Sequence, residues 1–309
     1  MRGKQNLFGL VLVLLLSVVA VGQVLKGFRY PDYDEKGQLK FEITGDEAQI
    51  QPDGLIKIKN LKMAFYEQGK VMMQVSTPQC LFDRVKRSAV SSSDVCVARK
   101  EIELTGRGFT WNAQDGRMQI FSNTRVVLRN LRWSAVAVEP ARNAAHPPAI
   151  RQPTDSDYGQ GGVAGGPAKP AQSGEDTNST VITSTQLSFD QQKRNAVFTG
   201  NVVVTDREIK ILSDRLEVFF TQGNEVDRVE AEGRVTIVRN DLKATGEKAA
   251  YDIQAGKLLL TGNPCIQWNQ DKLTGETVTL WRNSKRILCE PNARLLIASE
   301  QEMNRSFTE

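Results

Sequence analysis

Histidine is almost missing from this chain: the 309 residues contain one, His146, inside a stretch with no hydrophobic period. That removes His-dependent triads, His metal ligands and His general bases from the folded parts. Aromatic residues make up only 7%. Trp111, Trp133, Trp268 and Trp281 are scattered without an accompanying basic stripe, which leaves no stacking platform for bases or sugars. There is no P-loop, GxSxG or HExxH, and GGVAGG lies where no strand or helix supports it. The 40 basic and 36 acidic residues interleave, with a small cluster only at Arg84, Lys86 and Arg87, so nothing demands nucleic acid. The reading is of a protein that is not an enzyme and holds no cofactor or metal.

Cysteine is also scarce, and Cys80, Cys96, Cys265 and Cys289 lack CxxC spacing, which argues against a redox or zinc motif. An even number of thiols fits an extracytoplasmic compartment. The simplest pairing is Cys80 with Cys96 and Cys265 with Cys289, two other connectivities and free buried thiols being the alternatives. That compartment is also implied by the N-terminus, where Arg2 and Lys4 precede an apolar run from Leu7 to Leu25. About 20 such residues span a bilayer. Residues 1–29 are expected to be a single-pass inner-membrane anchor with its flank, the bulk of the chain lying in the periplasm; the alternative is a cleaved signal peptide that leaves a soluble periplasmic protein.

Periodicity is lost from 139 to 179, where Pro, Gly, Ala and small polar residues dominate. Such a composition reads as a flexible tether between a domain over 30–138 and another over 180–309. The second half contains a diverged repeat: FTGNVVVTDREIKILSDRLEVFF from Phe198, VEAEGRVTIVRNDLKATGEKAAYD from Val229 and LLTGNPCIQWNQDKLTGETVTL from Leu259. Gly200, Gly233 and Gly262 open the units, and Ser213, Gly246 and Gly275 are read as their turn residues. Periods of this size indicate stacked units, each too small to bury its apolar face alone. The first half repeats the theme less cleanly in FEITGDEAQI, LIKIKNLKMAF and KEIELTGRGFTWNAQDGRMQIF.

Strict alternation makes these units strands. Phe198, Val202 and Val204 share a face that continues through Ile209, Ile211, Leu216, Val218 and Phe220, then Val229, Val235 and Ile237, then Leu258 and Leu260. Turns are expected at TDRE, TQGN, RNDL, IQAG and RNSK. The carboxylates Asp206, Asp214, Glu217, Glu230 and Glu232 fall in turns or on the outward face, where solvation explains them better than glycoside hydrolysis. The aliphatic face has two readings. It is an ordinary sandwich core, or the wall of a channel for acyl chains, since exposing a lipid chain of about 12 carbons to water costs roughly 10 kcal/mol.

Phe198–Val204, Ala244–Asp252 (ATGEKAAYD) and Leu260–Pro264 (LTGNP) occur in order, and with them residues 180–297 resemble the LptA/OstA-type periplasmic proteins of lipopolysaccharide transport. The first half, an apolar segment followed by weaker strands of the same type, resembles the membrane-anchored LptC-like proteins in layout. These are ordinarily separate chains, and their combination here departs from the pattern. The resemblance implies an all-β fold of two rolled antiparallel β-jellyrolls. It further implies a groove that shields lipid A acyl chains, the aliphatic residues just named lining it. The implied partners are lipopolysaccharide, an inner-membrane ABC transporter, and other jellyrolls joined by edge-to-edge strand addition. A self-assembling β-scaffold without cargo is the alternative, and a carbohydrate-active β-solenoid enzyme the third.

Overall fold

The computed structural model describes residues 24–129 and 179–298, apart from 224, 283 and 285. Of the membrane anchor with its flank expected over 1–29 and the tether expected over 139–179, residues 1–23 and 139–178 lie outside these residues, while 24–29 and Ser179 fall in strands. Among those described, no helix is long and apolar enough to cross a membrane.

The alternating segments form antiparallel strands that follow one another as a meander. In the first half these are β1 (Val24–Tyr33), β2 (Leu39–Ile50), β3 (Ile56–Glu67), β4 (Lys70–Asp83), β5 (Ser88–Arg99), β6 (Ile102–Asn112) and β7 (Arg117–Arg129). The second half has β8 (Ser179–Ser184), β9 (Gln186–Asp190), β10 (Asn195–Thr205), β11 (Lys210–Phe220), β12 (Val226–Arg239) and β13 (Leu242–Asp252). It closes with β14 (Lys257–Thr261), β15 (Cys265–Trp268), β16 (Asp271–Thr274), β17 (Thr277–Trp281), β18 (Arg286–Glu290) and β19 (Arg294–Leu296). The end of the apolar run belongs to the sheet: Val24 and Leu25 pair with Gln49 and Ala48.

Each long strand bends once near its middle, and the bends line up. Register breaks fall at Ser91/Asp94 on β5, Thr199/Val202 on β10, Leu212/Arg215 on β11 and Glu232/Val235 on β12. At the same level, β8 and β9 are two halves of one strand, as are β14 and β15, β17 and β16, and β18 and β19. Left-handed residues make the bend: Gly233 (φ 77°) with Arg234 (φ 48°), and Gly262 (φ 73°) with Asn263 (φ 53°), a conformation that glycine adopts without steric cost. Ser213, Gly246 and Gly275, read from the sequence as turns, lie at this bend instead. In the second half the chain reverses at the predicted TDRE, RNDL and IQAG segments, and β11–β12 and β17–β18 pair antiparallel on either side of the predicted TQGN and RNSK.

The bend divides the sheet into two leaves folded toward each other. One leaf holds β9, β14, β17 and β18 with the matching halves of the long strands; the other holds β8, β15, β16 and β19 with theirs. The halves of the chain on either side of residues 130–178 are continuous in this sheet. β7 pairs with β8 from Thr124↔Ser184 to Arg129↔Ser179, and with β9 from Arg117↔Asp190 to Ile120↔Leu187. Among the described residues the sheet stays open at both ends: at one, β1 pairs only with β2; at the other, β18 pairs only with β17 and β19 only with β16.

Candidate functional site: the interior of the roll

Following the register from strand to strand gives one inward row per leaf. On the β8 leaf the row runs Tyr30, Ile43, Met63, Val75, Val97, Leu104, Val126, Ile182, Val204, Ile211, Ile237, Ala244, Ile266, Leu273 and Leu295. On the β9 leaf it runs Ile56, Phe82, Ala89, Trp111, Met118, Phe189, Ala196, Val218, Val229, Tyr251, Leu258, Leu280 and Ile287. Neither row is interrupted by a charge, including at the β7–β8 junction. At a strand spacing of about 4.8 Å the longer row extends roughly 65 Å.

The interior between the rows is dry. Of the aliphatic residues expected to line it, Phe198, Val202, Val204, Ile209, Ile211, Leu216, Val218, Val229, Val235, Ile237, Leu258 and Leu260 are all buried in one apolar cluster, and Phe220 is half-buried against it. Toward β1 the two leaves touch through rings: Tyr30 lies 5.1 Å from Phe82, and Trp111 lies 5.0 Å from Phe41 and 5.5 Å from Phe65, edge-on to both. Toward β19 the filling is mostly aliphatic. Half-buried apolar residues, among them Phe65, Met73, Leu128, Phe220, Val226, Ile253 and Trp268, occupy the strand ends away from the bend. Those ends form the mouth of the roll. An ion pair crosses the mouth near β1: inward-facing Asp32, 5% exposed, lies 2.8 Å from the Arg87 guanidinium of the β4–β5 turn.

The outer face is polar and internally paired. Asp214 pairs with Arg234, and Glu232 with Lys248 and Arg215. Glu217 is paired with Arg215 and accepts from Asn195, and Glu230 is paired with Arg228. Asp206 caps its own turn through the amides of Glu208 and Ile209. The Arg234 guanidinium holds Asp214 below the ordinary carboxylate value. Burial pushes Glu217 up, but the hydrogen bonds from Arg215 and Asn195 win and its net shift is downward. A general acid for glycoside hydrolysis needs the opposite shift. An open recess of about 780 Å³ lies outside the bend, bordered by Asp46, Lys62, Asp94 and Arg107. No group of residues suited to a metal ion occurs among those described.

All four cysteines are free thiols. Cys80 points into the core, where burial raises its thiol to about 12. Cys96 is out of phase with the inward Val95 and Val97 of its strand and borders the outer recess. The two thiols therefore face opposite sides of the sheet, which keeps this expected pair apart. Cys289 donates to the carbonyl of Thr274, the residue that pairs with Cys265.

The site is thus a rolled antiparallel sheet with a continuous dry interior. Residues 181–286 match the family model described as LptA/(LptD N-terminal domain) LPS transport protein. This part of the chain is similar to that family. No curated protein matches the chain. Among solved structures, the chain is similar to LptH, the LptA homologous periplasmic component of the conserved lipopolysaccharide transport device from Pseudomonas aeruginosa. The identity is 14% over 39% of this chain and 95% of that one, with a TM-score of 0.36.

Proposed function

We propose that this protein is a periplasmic component of lipopolysaccharide transport whose interior shields the acyl chains of lipid A. The observation that carries the reading is the pair of unbroken apolar rows, one per leaf, in a chain whose residues 181–286 match the transport family. Each methylene kept from water is worth about 0.8 kcal/mol, so a covered path offsets the cost of moving a many-chained lipid between membranes. The interior is already filled by its own side chains, so an acyl chain enters by parting the leaves at the mouth and replaces one dry contact with another. The aliphatic part toward β19 accommodates this more readily than the ring-filled part toward β1, because aliphatic side chains repack around a new chain more freely than interlocked rings.

In this proposal the first half takes the LptC-like place beside an inner-membrane ABC transporter, held there by the apolar segment ahead of β1. Lipid then passes along the interior to the β18–β19 end, whose unpaired backbone groups and exposed Leu295, Leu296 and Ile297 receive the next jellyroll by strand addition. The test is site-specific photo-crosslinking. A photoreactive residue at Val204 or Val235, both inward and at most 1% exposed, is expected to capture lipopolysaccharide, while the same residue at outward Arg234 is not. Equal capture at all three positions, or none at the inward pair, overturns the proposal.

A further inference from the structure

The inward row of the β9 leaf contains a single hydroxyl. Tyr251 is 3% exposed, its row neighbours are Val229 and Leu258, and its phenolic oxygen has no hydrogen-bond partner among the described residues. A buried hydroxyl without a partner is costly and rare. It lies one residue from the end of β13, so it is at the mouth of the roll.

On the outer side of the same rim, Lys257, Trp281 and Arg286 stand opposite one another on three successive strands. The Lys257 ammonium is 5.9 Å and the Arg286 guanidinium 5.1 Å from the centre of the Trp281 ring. Neither cation makes a salt bridge among the described residues, and both are exposed. Asp252, the neighbouring acid in this row, is engaged by its own turn through the Ala255 amide.

We infer that this corner of the roll is a headgroup site for the phosphorylated glycolipid whose chains occupy the interior, an assignment that rests on the transport reading above. The Tyr251 hydroxyl donates to the ester or amide carbonyl that joins an acyl chain to its sugar. The Trp281 ring meets the apolar face of that sugar, and Lys257 and Arg286 take the phosphate outside the rim. The arrangement follows the order of the lipid itself: hydrocarbon within the leaves, carbonyl at the lip, phosphate in water. Charge-assisted contacts at the phosphate are the stronger ones and fix which end of the lipid faces this rim.

The test uses the full chain, with lipopolysaccharide and the same lipopolysaccharide stripped of its phosphates by phosphatase as probes. Lys257→Gln combined with Arg286→Gln is expected to weaken binding of the phosphorylated lipid about tenfold and leave the dephosphorylated one unchanged. Tyr251→Phe is expected to weaken both lipids equally, by about three- to tenfold, with a urea midpoint no lower than that of the unaltered chain, because only an unpartnered hydroxyl is lost. Equal affinity of the unaltered chain for the two lipids, or unchanged affinity in the variants, overturns the headgroup site and leaves the conduit standing. Failure of the unaltered chain to bind either lipid overturns both.

Discussion

Arg129 and Ser179 are directly opposite each other across β7 and β8. A short turn can therefore join them, and excision of residues 130–178 should be tolerated. Replacing 130–178 with Asn-Gly, a pair suited to a two-residue hairpin turn, removes a loop of roughly 50 residues, and the closure cost scales with the logarithm of loop length. Between roughly 50 residues and two lie between four and five doublings at about 0.6 kcal/mol each, a gain of about 3 kcal/mol. For a domain of this size that corresponds to a rise in Tm of about 6 °C. Thermal unfolding of the full-length and excised chains, followed by circular dichroism, reads the difference, and one cooperative transition is expected from both. If the halves were instead separately folded bodies that need a spacer, two residues would force them into collision. A lower Tm, or two transitions that separate on excision, refutes the pairing argument.

Removing the clasp at the mouth by Arg87→Ala leaves Asp32 buried without its guanidinium, and a loss of about 1–2 kcal/mol in urea unfolding is expected, moderated by the exposure of Arg87. At the bend, Gly233→Ala drives a Cβ into the Asp214 carboxylate on a residue with φ of 77°, which should cost about 1–3 kcal/mol by the same measure. Asp190 and Asp214 both titrate below the ordinary 3.8 in the folded chain, Asp190 chiefly through the Lys193 amide and Asp214 through Arg234. Their contribution is therefore complete above that value and disappears as pH falls through the depressed folded values. Urea midpoints should be flat from pH 7 to 5 and drop only in strong acid. In native chain at pH 8, a maleimide should leave Cys80 unmodified until the protein is unfolded, because burial holds that thiol near 12.

The alternation of apolar and polar residues was enough to assign strands and to pick out the inward face, because one buried side per strand imposes a period of two. Phe198 through Leu260 are buried as that period requires, with only Phe220 left half-covered at a strand end. The bend was not legible in the same way. Gly200 and Ser213 look like the punctuation of separate hairpins, yet both interrupt long strands at one level of the sheet. Local sequence marks where the chain departs from extended geometry; it does not say whether the chain then reverses or merely folds over. Their even spacing follows from the meander: a path from the bend to a hairpin tip and back to the bend has the same length on every strand pair.

The junction between halves was hidden for a related reason. Thr124–Arg129 and Ser179–Ser184 are ordinary half-polar strands, and a long stretch of Pro and Gly separates them. Nothing in either segment specifies its partner, because strand pairing is set by side-chain rows that become visible only when the register is known. Once it is known, Val126, Ile182 and Val204 carry the inward row from one half to the other without a polar step. This continuity matters more to the proposed function than the number of jellyrolls. A lipid path broken at the junction would expose acyl chains to water there at about 0.8 kcal/mol per methylene, whereas an unbroken row lets a chain pass between halves against apolar walls throughout. Placing a charge in the middle of that row, as in Ile182→Asp, should therefore block passage of lipid from crosslinkable positions on β5 to those on β12. An Ile182→Val variant, which keeps the wall apolar, should leave it intact.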